Sequence, residues 1–319
     1  MVRRMGGGPV AAVAARLAEM AALVLAISLV SFGLLLLARG DAATSVVREQ
    51  GGAVSQARIE AERHRLGLDL PAPQRYADML TRAVRGDLGN SIRSGRPVSG
   101  EIASRIGPTV TLALAGSVVA IVVGLFVGLA EAAARGWFVP ALLRGGSLLL
   151  VSVPGFALAF GLVAQFSLRL GWFPTQGTDA GAWSLALPAL VLGLPAGAAL
   201  GRVLSTRLRE VLAEPYLVTA RAQGHSRLTC LLRWALPNAT VTSLVVAGNI
   251  LAALGTGTLV VEEVFGWSGL GSYLIAALRY RDWYPLNATV LLLCVVVIVV
   301  RGVSLSLATL VDERARSTP

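Results

Sequence analysis

Residues 208–237 read LREVLAEPYLVTARAQGHSRLTCLLRWALP, a polar segment that separates two long apolar runs at about residues 180–201 and 238–261. Each run is long enough to cross a bilayer as a helix, which takes about 20 apolar residues. Arginines outnumber acidic residues between the two runs. Because short arginine-rich loops stay on the cytoplasmic side of a membrane, residues 202–237 are predicted to form a cytoplasmic loop.

The same criterion identifies six apolar stretches in the whole chain, none with Asp, Glu or Arg in its interior. The composition agrees: 55% of the residues are hydrophobic and only 14% are charged, whereas a soluble domain is about a quarter charged. The first stretch is too long for the apolar region of a secretory signal. We therefore expect an all-α integral membrane protein with six transmembrane helices and both termini in the cytoplasm. The stretches cover about residues 20–38, 109–130, 145–168, 180–201, 238–261 and 283–300.

Between the first two stretches, residues 39–108 are predicted to form a small helical segment on the extracytoplasmic side. Residues 56–66 have the composition of a charged helix, and residues 73–85 that of a second helix with Tyr76, Leu80 and Val84 on one face. The predicted organisation is an N-terminus and first helix over 1–38, the extracytoplasmic segment over 39–108, and a five-helix core over 109–319.

The composition also excludes several kinds of chemistry. The chain contains no lysine, so its net charge of +10 comes from arginine, and neither a GxxxxGK[ST] phosphate loop nor a Schiff-base lysine is possible. Cys230 and Cys294, with His64 and His225, make no disulfide framework or metal-ligand cluster. We expect no enzyme activity, no metal, no cofactor and no nucleic-acid partner for this chain.

Two short helices are predicted within the loop, over 208–222 and about 226–235. Gly224 suits the C′ position that ends the first helix, and Pro237 stands where the chain re-enters the membrane. Small residues at positions 220, 222 and 224 would let another backbone approach closely. The pattern predicts a docking surface, although a solvated loop on the cytoplasmic side has the same composition.

The spacing within this loop resembles the EAA loop of bacterial ABC importer permeases, which has the pattern E-A-A-x3-G-x9-I-x-L-P. Gly224 is followed by nine residues and then by Trp234-x-Leu236-Pro237, so Trp234 replaces Ile. Val218, Thr219 and Ala220 stand where E-A-A would. The hexapeptide resembles the Thr-Ala-Arg-Ala-Lys-Gly form of one subfamily: Thr219-Ala220-Arg221-Ala222-Gln223-Gly224.

From about residue 17 to residue 314 the chain resembles the oligopeptide, dipeptide and nickel family of ABC permeases, and in particular their B-type subunit. The order and spacing of many short motifs carry the resemblance. They are Leu66-Gly67-Leu68-Asp69, Gly86-Asp87-Leu88-Gly89-Asn90-Ser91, Arg96-Pro97-Val98, Pro108-Thr109-Val110-Thr111-Leu112, Val153-Pro154-Gly155-Phe156, Leu170-Gly171-Trp172-Phe173-Pro174, Val261-Glu262-Glu263-Val264-Phe265, Gly269-Leu270-Gly271 and Arg281-Asp282.

Some positions depart from the family pattern, and they put substrate preference in question more than the fold. Arg39-Gly40-Asp41-Ala42 stands where Pro-Gly-Asp-Pro is common, Ser268 replaces a Pro, and Arg301 replaces an Asn. The tail reads Asp312-Glu313-Arg314 instead of Asp-Pro-Arg.

The resemblance implies a type I ABC importer permease fold in a bacterial inner membrane, with residues 208–237 coupling the permease to a cytoplasmic ATPase. The implied partners are a second homologous permease subunit, two ATP-binding cassette subunits that use ATP and Mg, an extracytoplasmic substrate-binding protein, a peptide substrate and membrane lipid. The implied ATPase-coupling residues are Thr219, Ala220, Arg221, Ala222, Gln223, Gly224, Leu236 and Pro237.

Three features of the predicted spans and their connections carry structural expectations. Glu262-Glu263 through Gly271 would form an outer re-entrant segment or an ordinary connector. Prolines inside spans would kink helices and either line a pathway or only shape the packing; they are Pro154, Pro188 and Pro195. Glycines in the second span would form a small-residue packing face; they are Gly116, Gly124 and Gly128.

Three other functions remain open at this point. A nickel or metal-chelate importer of the same family would need no His or Cys cluster in this chain, because selectivity can reside in the binding protein. An ion-coupled secondary carrier, or a channel, would need no ATPase, but such carriers usually show ionisable groups inside the bilayer. If the chain were a membrane scaffold without transport, the EAA-like spacing of the loop would be accidental.

Overall fold

The computed structural model describes residues 9–37, 43–44, 47, 55–65, 69–177 and 181–316, and these are helical apart from short turns and one isolated bridge between Asn90 and Pro97. The Leu66-Gly67-Leu68 motif and the stretch 39–42 lie outside the described residues. The chain divides into two compact units, one of residues 1–104 with 273–298 and one of residues 105–272 with 299–319.

The helices of the first unit confirm the predicted elements of the 39–108 segment. Helix α1 spans Pro9–Leu37, α2 spans Gln56–Arg65 and α3 spans Ala72–Val84. The predicted face of α3 is wrong at Val84, which is 85% exposed. Met79 and Ala83 are half-buried instead, because the packed stripe follows three- and four-residue steps from Tyr76 rather than uniform steps of four.

A turn follows α3 within the same unit and is held by a buried carboxylate. Residues 90–97 form the bridged turn, and Asp282 accepts hydrogen bonds from Ser91 Oγ at 2.6 Å and from Arg93 N at 3.2 Å. Gly89 has a φ of +76° and lies against Tyr284. A Cβ at Gly89 would fall 2.5 Å from the tyrosine ring, so this position requires glycine.

The remaining helices form most of the second unit. They are α4 Val98–Ala133, α5 Phe138–Ser152, α6 Gly155–Leu162 with a π-helical extension Val163–Arg169, α7 Ala182–Leu212, α8 Pro215–Ala222, α9 Arg227–Thr229 with a π-helical turn Cys230–Ala235, α10 Leu236–Phe265, α11 Leu270–Tyr280 and α12 Trp283–Arg316.

By length and composition, α4 and α7 qualify as membrane spans among the described residues, and two bent pairs raise the number to four if each pair is one span. The α5–α6 pair bends by 105° at Val153–Pro154, because proline disfavours an α conformation at the preceding residue. This confirms the expected kink at Pro154. Pro188 and Pro195 lie inside α7. The count of six spans stays a prediction.

Glycines allow α4 and α7 to pack in close contact, as the sequence predicts for Gly116, Gly124 and Gly128. A Cβ on Gly116 or Gly124 would fall 2.9 Å from the Cβ of Leu192 or Leu200. The opposing helix repeats the arrangement, with Gly193, Gly197 and Gly201 placed against Val119, Val123 and Val127. This interlocking of small and branched residues brings the two backbones together as in other membrane bundles.

Candidate coupling site

The first short helix of the 202–237 segment begins later than predicted. The predicted helix over 208–222 is interrupted, because α7 continues to Leu212 and α8 begins at Pro215. Glu214 is extended, with φ −62° and ψ 142°. Proline explains the break, since it lacks an N–H and moves the residue before it out of the α region.

The end of α8 confirms Gly224 as its C′ residue. Gly224 has a φ of +92°, its N–H donates to Arg221 O at 3.0 Å, and the N–H of His225 donates to Ala220 O at 3.2 Å. This pair of bonds is the Schellman motif, in which a left-handed residue closes the helix. No heavy atom lies within 4 Å of a Cβ built on Gly224, so the chain reverses here on an open surface.

The second short helix is not separate from the long helix that follows it. Ser226 caps α9 by accepting from Thr229 N at 3.1 Å, and the chain then runs through Cys230–Ala235 into α10 without a break. The predicted end at residue 235 is therefore wrong. The wider π-helical turn accommodates Pro237, whose ring in a regular helix would clash with the carbonyl of residue 233.

One side of the 202–237 segment is fixed in a hydrophobic cluster. Leu217 of α8 is buried, and so are Cys230, Leu231 and Ala235 of the π-helical turn. They pack with Ala132 of α4 and with α7 side chains, while Ala220, Trp234 and Leu236 are half-buried against the same cluster. The two short elements therefore pack together with the ends of α4 and α7.

The opposite side of the segment is exposed and largely apolar; we refer to it as the docking face. Its large side chains are Tyr216, Val218, Leu228 and Leu232, which are between 47% and 59% exposed. Thr219, Ala222, Gln223 and Gly224 are exposed beside them, and the segment also exposes Glu214, Arg221, His225, Arg227, Arg233 and Pro237. Clustered exposed apolar side chains rimmed by polar ones are typical of a protein interaction site.

Arg221 bonds within the chain, although it is an exposed residue. Its guanidinium donates to the carbonyl of Leu212, at the end of α7, and to the carbonyl of Leu217 at 3.3 Å. These bonds satisfy a carbonyl that the interrupted helix leaves without an intrahelical partner. Arg221 thus fixes the angle between α7 and α8, and its predicted contact with a partner protein stays a prediction.

Ion pairs around Glu131 connect the base of the 202–237 segment to neighbouring helices, and they were not predicted from the sequence. We call this cluster the charged joint. Glu131, whose side chain is 2% exposed, pairs with Arg209 of α7 at 2.5 Å and with Arg144 of α5. Arg227 donates to the carbonyl of Ala132 at 3.1 Å. The sequence signal was a single carboxylate near the end of an apolar stretch, but the partners lie 13 and 78 positions away.

Glu262 forms a second buried joint and corrects the prediction for residues 262–271. Both Glu262 and Glu263 lie inside α10, which runs to Phe265, so the predicted outer re-entrant segment does not begin there. Glu262 accepts from Thr109 Oγ1 at 2.7 Å, from Gly271 N at 2.6 Å and from Ser272 N at 3.0 Å. It ties α4 and α11 to the end of α10. Among the described residues, no group of three or more His, Cys, Asp or Glu side chains could hold a metal ion.

The described residues thus combine long apolar helices with a polar inter-helix segment that exposes apolar side chains. The chain belongs to the family of inner membrane components of binding-protein-dependent transport systems, whose family model matches residues 103–317. The resemblance recognised in the sequence is therefore confirmed. The family is a transport component and not a catalytic enzyme.

Relatives of known name extend the match over most of the chain. A Brucella suis biovar 1 protein provisionally named a peptide permease is 35% identical over 93% of this chain and 96% of its own length. The glutathione transport system permease protein GsiC of Escherichia coli O6:H1 is 38% identical over 73% of this chain and 76% of its own length.

The fold is also found among solved structures. A chain of the inward-facing MetNI methionine ABC transporter matches with a TM-score of 0.54 at 17% identity, covering 66% of this chain and 96% of that chain. At this identity the likeness shows the fold alone. The expected all-α permease fold is confirmed.

Proposed function

We propose that the chain is a transmembrane permease subunit of an ATP-driven importer for short peptides, and that it forms half of the translocation pathway. The docking face carries this proposal. It combines exposed apolar side chains with a packed underside, which is what a partner protein needs in order to move the helices as a rigid body. Two relatives named for peptide and glutathione transport support a peptide substrate.

The proposed assembly contains a second homologous permease, two ATPase subunits that supply the ATP and Mg chemistry, and an extracytoplasmic binding protein. In this arrangement the docking face lies in the cytoplasm of a bacterium, as do both termini, and the chain itself binds no cofactor. Thr219, Ala222, Gln223 and Gly224 would contact the ATPase directly. Ala220, Arg221, Leu236 and Pro237 would hold the docking face to α7 and α10.

Coupling can be tested at Gly224. We expect Gly224→Glu to leave the complex inserted but to lower the uptake per ATP hydrolysed by about tenfold, since a strained, charged side chain costs more than 1 kcal/mol at a close contact. Gly136→Glu is the matched control, because Gly136 also has a positive φ of 89° and open space around its Cβ but lies between α4 and α5. Normal coupling in the Gly224 variant would remove the docking face from the mechanism.

The substrate is tested by uptake into proteoliposomes that contain the assembled complex and ATP. A mixture of short peptides and nickel chelates is offered, and the retained compounds are identified by mass spectrometry. ATP-dependent retention of peptides is the expected result. Retention of metal alone would assign the chain to metal-chelate import, and uptake that follows an ion gradient without ATP would assign it to the secondary carriers.

A further inference from the structure

The first unit contains a cavity of about 240 Å³. Its walls come from α1, from α2 and α3, and from the start of α12. The lining combines guanidinium groups, one carboxylate and aromatic rings; its main members are Phe32, Arg65, Arg75, Asp78, Arg82 and Trp283. A cavity of this composition suits a ligand that has both a charged and an apolar part.

Arg75 is the cation of this cavity that has no anionic partner among the described residues. Its guanidinium carbon lies 3.6 Å from the centre of the Trp283 ring and 6.0 Å from that of Phe32. Stacking on tryptophan fixes the orientation of the guanidinium. In the part of the chain that the structure describes, the buried Arg75 Nε and Trp283 Nε1 have no acceptor. Two unused buried donors in one cavity wall call for an acceptor from outside the chain.

The other charges of the cavity balance one another and limit the charge of the ligand. Arg65 is paired with Glu62, and Arg82 is paired with Asp87 at 2.8 Å. Asp78 lies three residues after Arg75 on α3 and adds a carboxylate to the lining. Side chains three residues apart on a helix are neighbours, with their Cβ atoms about 5–6 Å apart. Glu62, Asp78 and Asp87 therefore match the three guanidinium groups of the lining in number, and the site has no excess of charge.

The helices around the cavity identify its environment. Leu25, Leu29 and Val30 of α1 are between 46% and 60% exposed, as lipid-facing side chains of a membrane helix are. Apolar segments of α1 and α12 cover Met20–Gly33 and Trp283–Val299, so Phe32 and Trp283 stand at the ends of these segments. Arginine and tryptophan at such ends are typical of the membrane–water interface, where lipid headgroups lie.

We propose that this cavity binds the headgroup of a zwitterionic phospholipid, with the phosphate accepting hydrogen bonds from Arg75 and Trp283 and the ammonium group beside Asp78. The acyl chains then follow the exposed apolar surface of α1. Phosphate is an acceptor that guanidinium binds strongly, and it supplies the counter-ion that the described chain does not provide. The balanced charges of the lining favour a neutral headgroup over an anionic one.

The test uses the full-length chain, purified in detergent, freed of lipid and titrated with phosphatidylethanolamine or phosphatidylglycerol while bound lipid is counted by native mass spectrometry. We expect phosphatidylethanolamine to bind more tightly than phosphatidylglycerol, and Arg75→Gln to weaken it by about tenfold or more. Arg85→Gln is the matched control, because Arg85 caps α3, is exposed and does not line the cavity. Arg75→Lys keeps the charge but not the planar, forked arrangement of donors, so an intermediate loss of lipid affinity is expected.

A wild-type measurement makes the test independent of how the variants fold. Phosphatidylethanolamine with a photoreactive headgroup should label peptides that contain residues 70–82 or 283–284. Labelling elsewhere only, or equal binding by Arg75→Gln and the wild type, would overturn the proposal. Equally tight binding of glycerophosphoethanolamine would identify a soluble phosphate ester as the ligand. Displacement of phosphatidylethanolamine by trialanine would identify a peptide as the ligand. Tighter binding of phosphatidylglycerol would overturn the inference that the headgroup is neutral.

Discussion

Glu262 and Asp282 are buried carboxylates whose donors, in the contacts described above, are hydroxyl and backbone N–H groups and not guanidinium groups. Each receives one hydroxyl, from Thr109 or Ser91, together with one or two backbone N–H groups. A buried acceptor of this kind fixes the local backbone, because removal of the carboxylate leaves several donors unpaired, each at a cost of about 1–3 kcal/mol. Such residues hold backbone geometry, and a direct contact with substrate is not needed to explain them.

Asp282 gives a pH dependence whose sign can be worked out. Burial raises the pKa of the Asp282 carboxyl, while hydrogen bonds from Ser91 and from the backbone oppose the change. The folded state therefore holds this proton more tightly than the unfolded chain, whose Asp pKa is about 3.9. The stability that Asp282 contributes should fall as the pH rises from about 3.9 through the folded pKa.

Hydrogen exchange of the amides of residues 91–97, corrected for intrinsic rates, measures this effect. Protection should decrease with rising pH in the wild type, and Asp282→Asn should remove that slope. Asp87→Asn is a control of opposite sign, because the Gly89 N–H and Arg82 lower the pKa of the exposed Asp87 carboxyl. A slope unchanged by Asp282→Asn would assign the pH dependence to another group.

At the scale of elements, the α4–α7 contact depends on glycines that no other residue can replace without moving a helix. A Cβ on Gly197 would fall 2.7 Å from Val123 Cβ and 2.8 Å from Ala120 O. We expect Gly197→Ala to lower the free energy of unfolding by about 1–3 kcal/mol, because overpacking forces the backbones apart.

Unfolding of the purified protein in mixed detergent measures this loss. Gly161→Ala in α6 is the control, since no heavy atom lies within 4 Å of its Cβ. It should be neutral or stabilise the protein by up to about 1 kcal/mol, as alanine does in open helix positions. Equal effects of the two substitutions would show that helix propensity, and not the α4–α7 contact, sets the stability.

The same elements show what sequence patterns can and cannot predict. The Gly224 helix end and the packing glycines of α4 were predictable, because each depends on a residue type at a fixed local spacing. The start of α8 at Pro215 had a visible signal in the proline itself. The continuity of α9 with α10 had none, because a π-helical turn relieves the clash that Pro237 would otherwise cause. Glu131 and Arg75 were not predictable as sites, since their partners come from distant helices.

At the scale of the whole molecule, a transporter needs a rigid connection between the surface where force is applied and the helices that move. In the proposed importer Glu131 would lie at this connection, because it joins the ends of α4 and α7 to the middle of α5. Arg227 fastens α9 to the same place through the carbonyl of Ala132. A coupling segment without this joint could still bind its partner but would transmit less of its motion.

We therefore expect Glu131→Gln to separate binding from transport. Two arginines would lose their shared carboxylate, and because both are partly exposed the cost should be about 1–3 kcal/mol, less than for a fully buried pair. ATPase subunits should still copurify in normal amounts, while the uptake per ATP hydrolysed in proteoliposomes falls by about fivefold or more. Glu210→Gln is the control, because Glu210 forms an exposed pair with Arg207 on α7 and surface pairs of this kind contribute little. If both variants couple normally, the rigidity of the 202–237 segment comes from its hydrophobic cluster alone, and the charged joint has no part in transport.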